Sequence, residues 1–152
     1  MEDGRIPDAS ITASSVYNND QGLFGPTRAR LGNPDHDGAW CRAGTVDTDP
    51  WIQVDLGSNA TITGVITQLP PGRYYWVEEF KVAFSDDGQE WTDVTDCGSS
   101  TPMKFPANFD ENNHVTTTFP KAFQARFLRI LPTQWKAACC MRFEVLGCTI
   151  NE

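Results

Sequence analysis

The 152-residue sequence lacks any hydrophobic run that could cross a membrane, since none approaches the roughly 18 consecutive apolar residues that a spanning helix needs. Its first ten residues, MEDGRIPDAS, also lack the apolar segment of a signal peptide. No low-complexity tract favours disorder. We therefore expect one soluble domain over residues 1–152, which can equally be a piece of a longer protein.

Positive charge is scarce, because 12 lysines and arginines stand against 20 aspartates and glutamates and leave a net charge of -8. A chain of this charge has no long-range attraction to a phosphate backbone or to anionic lipid headgroups. We therefore expect no nucleic-acid partner, and an anionic phospholipid is a less favoured one.

Groups that could perform catalysis are also few. The only histidines are His36 and His114, and no serine lies in a G-x-S-x-G motif. Three carboxylate pairs could in principle cleave a glycosidic bond. They are Asp35/Asp37, Glu78/Glu79 and Asp86/Asp87. Each pair is typical of a solvated turn or strand edge, and SDDG in particular is ordinary hairpin-turn chemistry, so we expect no enzyme.

Cysteine is plentiful by contrast, yet none of the five cysteines falls in the C-x-x-C spacing of a zinc or dithiol redox site. This number is high for a reducing compartment and indicates disulfides in an extracellular protein, either secreted or in the ectodomain of a membrane protein. The triplet Asn59-Ala60-Thr61 agrees, because N-x-T accepts an N-glycan in a secreted chain. An odd count leaves at least one thiol free or bonded outside this chain.

Several short runs alternate apolar and polar residues, as strands with one buried face do. In CMRFEVLGC, for example, Met141 and Phe143 point to one face while Arg142 and Glu144 point to the other. Similar runs are WIQVDLG, EEFKVAFS and ARFLRILP, and turn signals occur at GSN (57–59), LPPG (69–72), SDDG (85–88) and CGSS (97–100). No segment shows a helical period. The pattern predicts an all-β sandwich or jelly roll of two antiparallel sheets.

The first forty residues are rich in Asn, Asp, Gly, Ser and Pro, so they are predicted to be mostly loops, where binding groups usually reside. Within NPDHDGAWC, the side chains of Asn33, Asp35 and Asp37 supply hard oxygen ligands at alternating positions, which suits Ca²⁺. The segment lacks the glycine and bidentate glutamate of an EF-hand loop. A calcium site and a plain polar loop are the two alternatives, and no other cofactor is expected.

Eight motifs, in order, resemble the discoidin, or coagulation factor 5/8 type C, domain family over nearly the whole chain. They are ITASS, ARLG, GAWC, WIQVDLG, ITGVITQ, FKVAFSDDGQEWT, ARFLRILPTQW and CMRFEVLGC. The resemblance implies an extracellular jelly roll of about eight antiparallel strands with binding loops at one end. Within the family, HDGAWC and CMR are most similar to the collagen-receptor and carboxypeptidase-like branches.

The resemblance also implies a disulfide between Cys41 and Cys140. The family's other disulfide joins a cysteine near the start to the position of Cys148, so we expect Cys148 to lack its usual partner here. Cys97 and Cys139 fall outside the common pattern, and pairing among the three remaining cysteines stays open. The tryptophans at 40, 51, 91 and 135 are predicted to lie in the core.

Three loops are expected to converge at one end: 17–25, 33–37 and 69–76. Large apolar side chains occur in the first and third of them, although these side chains could also fold back onto the sandwich. In collagen-receptor relatives a trench at this end combines an aromatic, two acidic residues and an arginine. The matching positions here are Tyr17, Asp37, Glu79 and Arg73. Together with residues of the three loops they form the predicted ligand-binding set, whose other members are Asn18, Asn19, Leu23, Phe24, Asp35, Tyr74 and Tyr75.

The favoured function is an adhesion or recognition module that binds an extracellular protein, such as a matrix component, or a cell-surface ligand. A lectin-like module is the first alternative, since Tyr74 and Tyr75 beside Asn18 and Asn19 could form a platform for a cell-surface glycan. Phospholipid binding is the second, and it would use apolar loop tips such as Leu23 and Phe24.

Overall fold

The computed structural model describes residues 1–32, 38–69, 72, 74–96, 99–109 and 114–149. Within them the strands are β1 (Ile11–Ala13), β2 (Trp40–Cys41), β3 (Ile52–Gln68), β4 (Trp76–Ser85), β5 (Thr92–Asp93), β6 (Phe105–Pro106), β7 (Val115–Lys136) and β8 (Cys140–Thr149). The helical segments of these ranges are one short α-helix, α1 (Gln21–Phe24), and 3₁₀ turns at Asp8–Ser10, Tyr17–Asn19 and Pro26–Ala29. None of the described helices is long and apolar enough to span a membrane.

The strands hydrogen-bond in the order β2-β8-β3-β7-β4-β5, with β1 beside β3 and β6 beside β4. Each of these strand pairs is antiparallel. The prediction of an all-β antiparallel sandwich of about eight strands is therefore confirmed.

Strand β3 contributes to both layers because it turns a corner at its middle. Its first part pairs with β1 and β7, and its second part, from Ala60 onward, pairs with β8 and again with β7. The register with β7 shifts between Asp55 and Ala60, where Gly57 has a φ of 82° that glycine adopts without strain. Such an irregularity bends a strand. The prediction that 57–59 is a turn between two strands is therefore wrong, because these residues form a corner within one strand.

The core lies between the two layers and consists of the inward side chains of the period-two runs. Ile52 and Val54 of β3, for example, lie opposite Ile130 and Leu128 of β7, and all four are fully buried. Burial of each such side chain stabilises the fold by about 1.5–3 kcal/mol. A row of phenylalanines extends the core, with neighbouring ring centroids 4.1–5.7 Å apart. Its members are Phe80, Phe105, Phe119, Phe123 and Phe84.

The turn predicted at 85–88 is confirmed. The Ser85 hydroxyl oxygen accepts hydrogen bonds from the backbone N–H groups of Asp87 (3.3 Å) and Gly88 (2.9 Å). The Asp87 carboxylate in turn accepts from the N–H groups of Glu90 (3.0 Å) and Gln89 (2.8 Å), and these bonds lower the pKa of Asp87. This carboxylate stabilises a turn, as the SDDG pattern predicts.

One tryptophan behaves as predicted. Trp40 is completely buried, and its indole N–H donates to the Ser15 carbonyl at 2.9 Å. The prediction that Trp51 and Trp91 are also core residues is wrong, since each is only partly buried, whereas the partly buried Trp135 packs against the core from its rim.

The physical reason is stacking against arginine at the rim of the core. The Arg129 guanidinium lies between Trp51 and Trp91, 4.1 and 3.9 Å from the ring centroids. The Arg42 guanidinium lies 4.3 Å from the centroid of Trp135. An indole face that covers a cation gains cation–π attraction at a site that water still reaches.

Candidate functional site

A groove of about 410 Å³ lies at the end of the sandwich where β7 ends, β8 begins and β4 begins. Its walls come from the first loop, from the segment that follows β2, from the residues before β4 and from the turn between β7 and β8. Among the described residues, the groove is lined by Tyr17, Phe24, Cys41, Arg42, Gly44, Thr45, Tyr75, Ala137, Ala138, Cys139 and Cys140. The predicted convergence of the first and third loops is thus present.

A disulfide between Cys41 and Cys140 forms the floor of the groove. The two cysteines are register partners in the β2–β8 ladder, although 99 residues separate them in sequence. Phe24 from the first loop and Tyr75 from the third pack against this buried pair. The implied disulfide is confirmed, and it supports both loops.

The first loop forms an aromatic wall. The rings of Tyr17 and Phe24 meet edge to face with centroids 5.2 Å apart. Asp20 caps α1 by accepting a hydrogen bond from the Leu23 N–H at 3.1 Å, and the Arg28 side chain donates to the Gly22 carbonyl at 2.6 Å. These bonds hold the loop in one shape.

The side chains predicted as exposed loop tips divide into two groups. Leu23 is 56% exposed and Tyr74 is 70% exposed, so both point to solvent. Phe24 and Tyr75 are partly buried and turn toward the groove. In each loop, therefore, one of two neighbouring residues lies at the exposed tip and the other lines the groove.

A fourth loop, 42–50, was missed by the sequence analysis. Its shape is held by Asp47, whose carboxylate accepts hydrogen bonds from the hydroxyls of Ser14 and Ser15, both at 2.5 Å. The Arg42 guanidinium donates to the Asp47 carbonyl, also at 2.5 Å. Val46 at the tip is 89% exposed. The signal for this loop was present in AGTVDTD, where one branched apolar residue stands among polar ones.

A second missed tip is Phe109, which is 74% exposed. It follows Asn108, whose backbone N–H donates to the Val77 carbonyl and whose side-chain amide donates to the Thr67 carbonyl. These bonds attach the segment to the ends of β3 and β4, so Phe109 lies at the same end of the sandwich as the groove. Four exposed apolar tips therefore surround this end: Leu23, Val46, Tyr74 and Phe109.

Backbone strain is concentrated around the groove. In the described ranges the non-glycine residues with positive φ are Asn18 (53°), Asn19 (54°) and Ala137 (61°). The two asparagines follow the lining residue Tyr17, and Ala137 lines the groove itself. Left-handed backbone is tolerable for asparagine and costs about 1–2 kcal/mol for alanine. Strain of this kind is typical of binding and catalytic sites.

Arg142 fixes the base of the second predicted loop. It lies on the face of β8 opposite Met141 and Phe143, as predicted, but this face is covered and Arg142 is only 2% exposed. Its Nε and Nη2 donate to the Gly38 carbonyl at 2.8 and 2.6 Å. The predicted loop residues Asn33, Asp35 and Asp37, and Arg73 of the third loop, lie outside the described residues. The calcium alternative and the roles of these four residues therefore stay predictions.

Other predicted residues lie away from the groove. Glu79 is in β4, where its carboxylate accepts from the Thr133 hydroxyl at 2.8 Å and lies 3.8 Å from the Lys104 amine, and it is not among the described lining residues. Asn59 is exposed at the corner of β3, where a glycan could attach. Among the described residues, no group of three or more His, Cys, Asp or Glu side chains could hold a metal ion.

The remaining described cysteines differ in access to solvent. Cys139 is a buried free thiol, and burial raises its pKa to about 12. Cys148 is an exposed free thiol in β8. Cys97 lies outside the described residues, so its state stays open.

Known proteins resemble this chain over nearly its full length. The sequence model of the F5/8 type C domain matches residues 10–145. Lactadherin of Bos taurus is 42% identical over 154 residues, a match that covers 97% of this chain and 36% of the relative. The EGF-like repeat and discoidin I-like domain-containing protein 3 of Homo sapiens is 37% identical and matches 100% of this chain and 32% of its own length. The chain thus spans about a third of these curated relatives.

A solved structure agrees with the sequence matches. Recombinant discoidin II of Dictyostelium discoideum superposes with a TM-score of 0.70 at 21% identity, covering 93% of this chain and 56% of that one. At this identity the likeness concerns the fold.

Proposed function

The chain belongs to the F5/8 type C, or discoidin, domain family, and from this membership we propose that it is a non-enzymatic extracellular recognition module that binds a protein ligand in the groove at its loop end. The observation that carries the proposal is the pair of aromatic walls, Tyr17 with Phe24 and Tyr75, that rest on one buried disulfide. Aromatic side chains in such positions supply most of the affinity in protein interfaces.

Rigidity of the groove supports the same proposal. The disulfide, the α1 cap and the Asp47 hydrogen bonds fix the lining loops before a ligand arrives. Binding then costs less conformational entropy, because few side chains remain to be ordered. A preformed groove therefore favours tight recognition.

The surroundings of the carboxylates support a non-enzymatic role. Asp87 accepts backbone hydrogen bonds within a turn, and Glu79 is engaged by Thr133 and Lys104. The extracellular setting is supported by the disulfide and by the exposed Asn59 acceptor triplet. We take matrix and cell-surface proteins as the class of partner.

Neighbouring tyrosines provide a matched test. Tyr75 lines the groove, whereas Tyr74 points to solvent at 70% exposure. The purified domain would be tested by surface plasmon resonance against a panel of immobilised extracellular matrix proteins. We expect Tyr75→Ala to weaken the strongest interaction by more than about tenfold, as for an interface hot spot, and Tyr74→Ala to change it less than about threefold. Equal losses of affinity in both variants, or a loss in Tyr74→Ala alone, would refute the proposal that the ligand binds in the groove.

The four exposed tips favour one second candidate, which is association with a membrane surface. These side chains, Leu23, Val46, Tyr74 and Phe109, could insert together between headgroups, because several large exposed apolar side chains at one end of a domain often mark an interaction site. The net charge of -8 opposes attraction to anionic lipid. Sedimentation with neutral and with phosphatidylserine-containing liposomes tests this candidate. Val46→Ser should abolish membrane binding while leaving the groove's protein ligand bound.

A further inference from the structure

We infer that the groove binds an acidic segment of its protein ligand, with the Arg42 guanidinium donating hydrogen bonds to a ligand carboxylate between the aromatic walls. The inference rests on the proposed function and names the chemistry of its partner. Its basis is the distribution of charge and hydrogen-bond donors inside the groove.

Arg42 is the one charged side chain among the described lining residues. The others are aromatic, small or hydroxylated, or belong to the disulfide, and the Cys139 thiol is held neutral by burial. The chain as a whole carries a net charge of -8, so a groove whose described lining has a cation and no carboxylate differs from the rest of the surface. Charge complementarity at this point favours an anion.

The Arg42 side chain is already positioned. Its guanidinium stacks on Trp135 at 4.3 Å, one of its nitrogens donates to the Asp47 carbonyl, and its backbone N–H donates to the Cys139 carbonyl at 3.1 Å. A guanidinium has five N–H donors, and among the described residues only the Nη1 of Arg42 donates to a protein group. Positioning before binding lowers the entropic cost of a new hydrogen bond.

Arg42 has no carboxylate partner within the described part of the chain. The nearby Asp47 carboxylate instead accepts hydrogen bonds from Ser14 and Ser15. By contrast, Arg5, Arg30 and Arg126 each pair with an aspartate carboxylate. The positive charge of Arg42 is therefore left for a group from outside.

The geometry selects the class of anion. A single cation balances the single charge of a carboxylate, whereas a phosphate dianion would need a second cation, and the described lining offers none. The rings of Tyr17 and Tyr75 offer apolar surface beside the guanidinium. A peptide segment that carries glutamate or aspartate next to a leucine or aromatic residue satisfies both requirements.

The experiment uses an array of blocked hexapeptides that place one glutamate at each spacing from one leucine, phenylalanine or tyrosine, printed beside the same set with glutamine. We expect the domain to prefer the best glutamate peptide over its glutamine counterpart by about tenfold, as for one charge-assisted hydrogen bond. Arg42→Gln should remove the preference, Arg42→Lys should retain part of it, and Lys121→Gln, which changes net charge equally at an exposed lysine of β7, should leave it intact. Thermal unfolding checks the fold of each variant.

The outcomes separate this inference from the proposed function. A loss of affinity in Arg42→Gln that is equal for glutamate and glutamine peptides shows a structural role and overturns the inference. The same is true if the wild-type domain shows no preference for glutamate, or binds no peptide of the array, whether or not the variant folds. In either case a protein ligand that still depends on Tyr75 and not on Tyr74 leaves the proposed function standing.

Discussion

Removal of the disulfide beneath the groove should have a large and calculable effect on stability. We consider Cys41→Ala/Cys140→Ala in a Cys148→Ser background, which prevents exchange through the exposed thiol. The bond joins residues 99 positions apart, and closing a loop of about 100 residues removes about 4.7 kcal/mol of unfolded-chain entropy in the chain-entropy model. Because β2 contains only two residues, little else holds this ladder in place. We expect the free energy of unfolding to fall by about 3–5 kcal/mol, as it does when native disulfides are removed from small secreted domains.

The assay is equilibrium urea unfolding monitored by tryptophan fluorescence, for which the fully buried Trp40 beside the bond is a local probe. The midpoint should fall, and the slope m should rise because the denatured chain expands when the crosslink is absent. A rise in m distinguishes an effect on the unfolded state from lost packing.

Cys139→Ala provides the matched control. This neighbouring cysteine is also buried, but it forms no disulfide, so its replacement measures the packing of one sulfur atom without any change in chain entropy. We expect Cys139→Ala to lower the free energy of unfolding by about 1 kcal/mol, as for a small cavity. The chain-entropy explanation is refuted if the double variant loses no more than twice the free energy of unfolding that Cys139→Ala loses and its m is unchanged.

Three further measurements test other parts of the structure. Thr67→Val should raise the free energy of unfolding by about 1 kcal/mol, because the buried Thr67 hydroxyl has no hydrogen-bond partner in the part of the chain that the structure describes. A decrease would instead reveal a bound water. The pKa of Asp55 is lowered by its hydrogen bonds to Arg126, so this carboxylate stabilises the fold above its unfolded pKa of about 3.9. Wild type should therefore be more stable than Asp55→Asn by less than about 1 kcal/mol, since the pair is partly exposed. This difference in stability should disappear as pH falls through the lowered pKa of Asp55. Iodoacetamide at about pH 8 should label Cys148 and leave Cys139 unmodified in the folded protein, since burial holds the Cys139 thiol protonated; labelling of both would contradict the burial.

The strands were predictable because exposure alternates along them. In β3 the buried residues Ile52 and Val54 alternate with the partly exposed Gln53 and Asp55, so each hydrophobic position carries information about its face. The corner at Gly57 was not distinguishable from a turn between two strands. Glycine and asparagine are favoured in both, and only the pairing partners on each side decide between them.

The groove was predictable in part. Loops 17–25 and 69–76 were identified by large apolar side chains in polar surroundings, and the structure brings Tyr17 and Tyr75 into one groove. Sequence could not tell which member of each adjacent pair turns inward, because that depends on contacts with the disulfide. It also missed Arg42, whose position depends on stacking with Trp135, 93 residues further along the chain.

Strain and covalent closure are coupled at the groove. Ala137 occupies a left-handed conformation that costs about 1–2 kcal/mol, and it lies in the turn that leads from β7 into Cys140. Without an anchor at its end, this turn would relax to a less strained conformation, and the part of the groove that Ala137 and Ala138 line would change shape. The disulfide attaches Cys140, at the end of this turn, to Cys41 of β2, so the turn cannot relax by moving away from β2. The bond therefore stabilises the shape of the binding site as well as the fold, and any ligand that depends on Ala137 and Ala138 should lose affinity when the bond is reduced, even at temperatures where the domain remains folded.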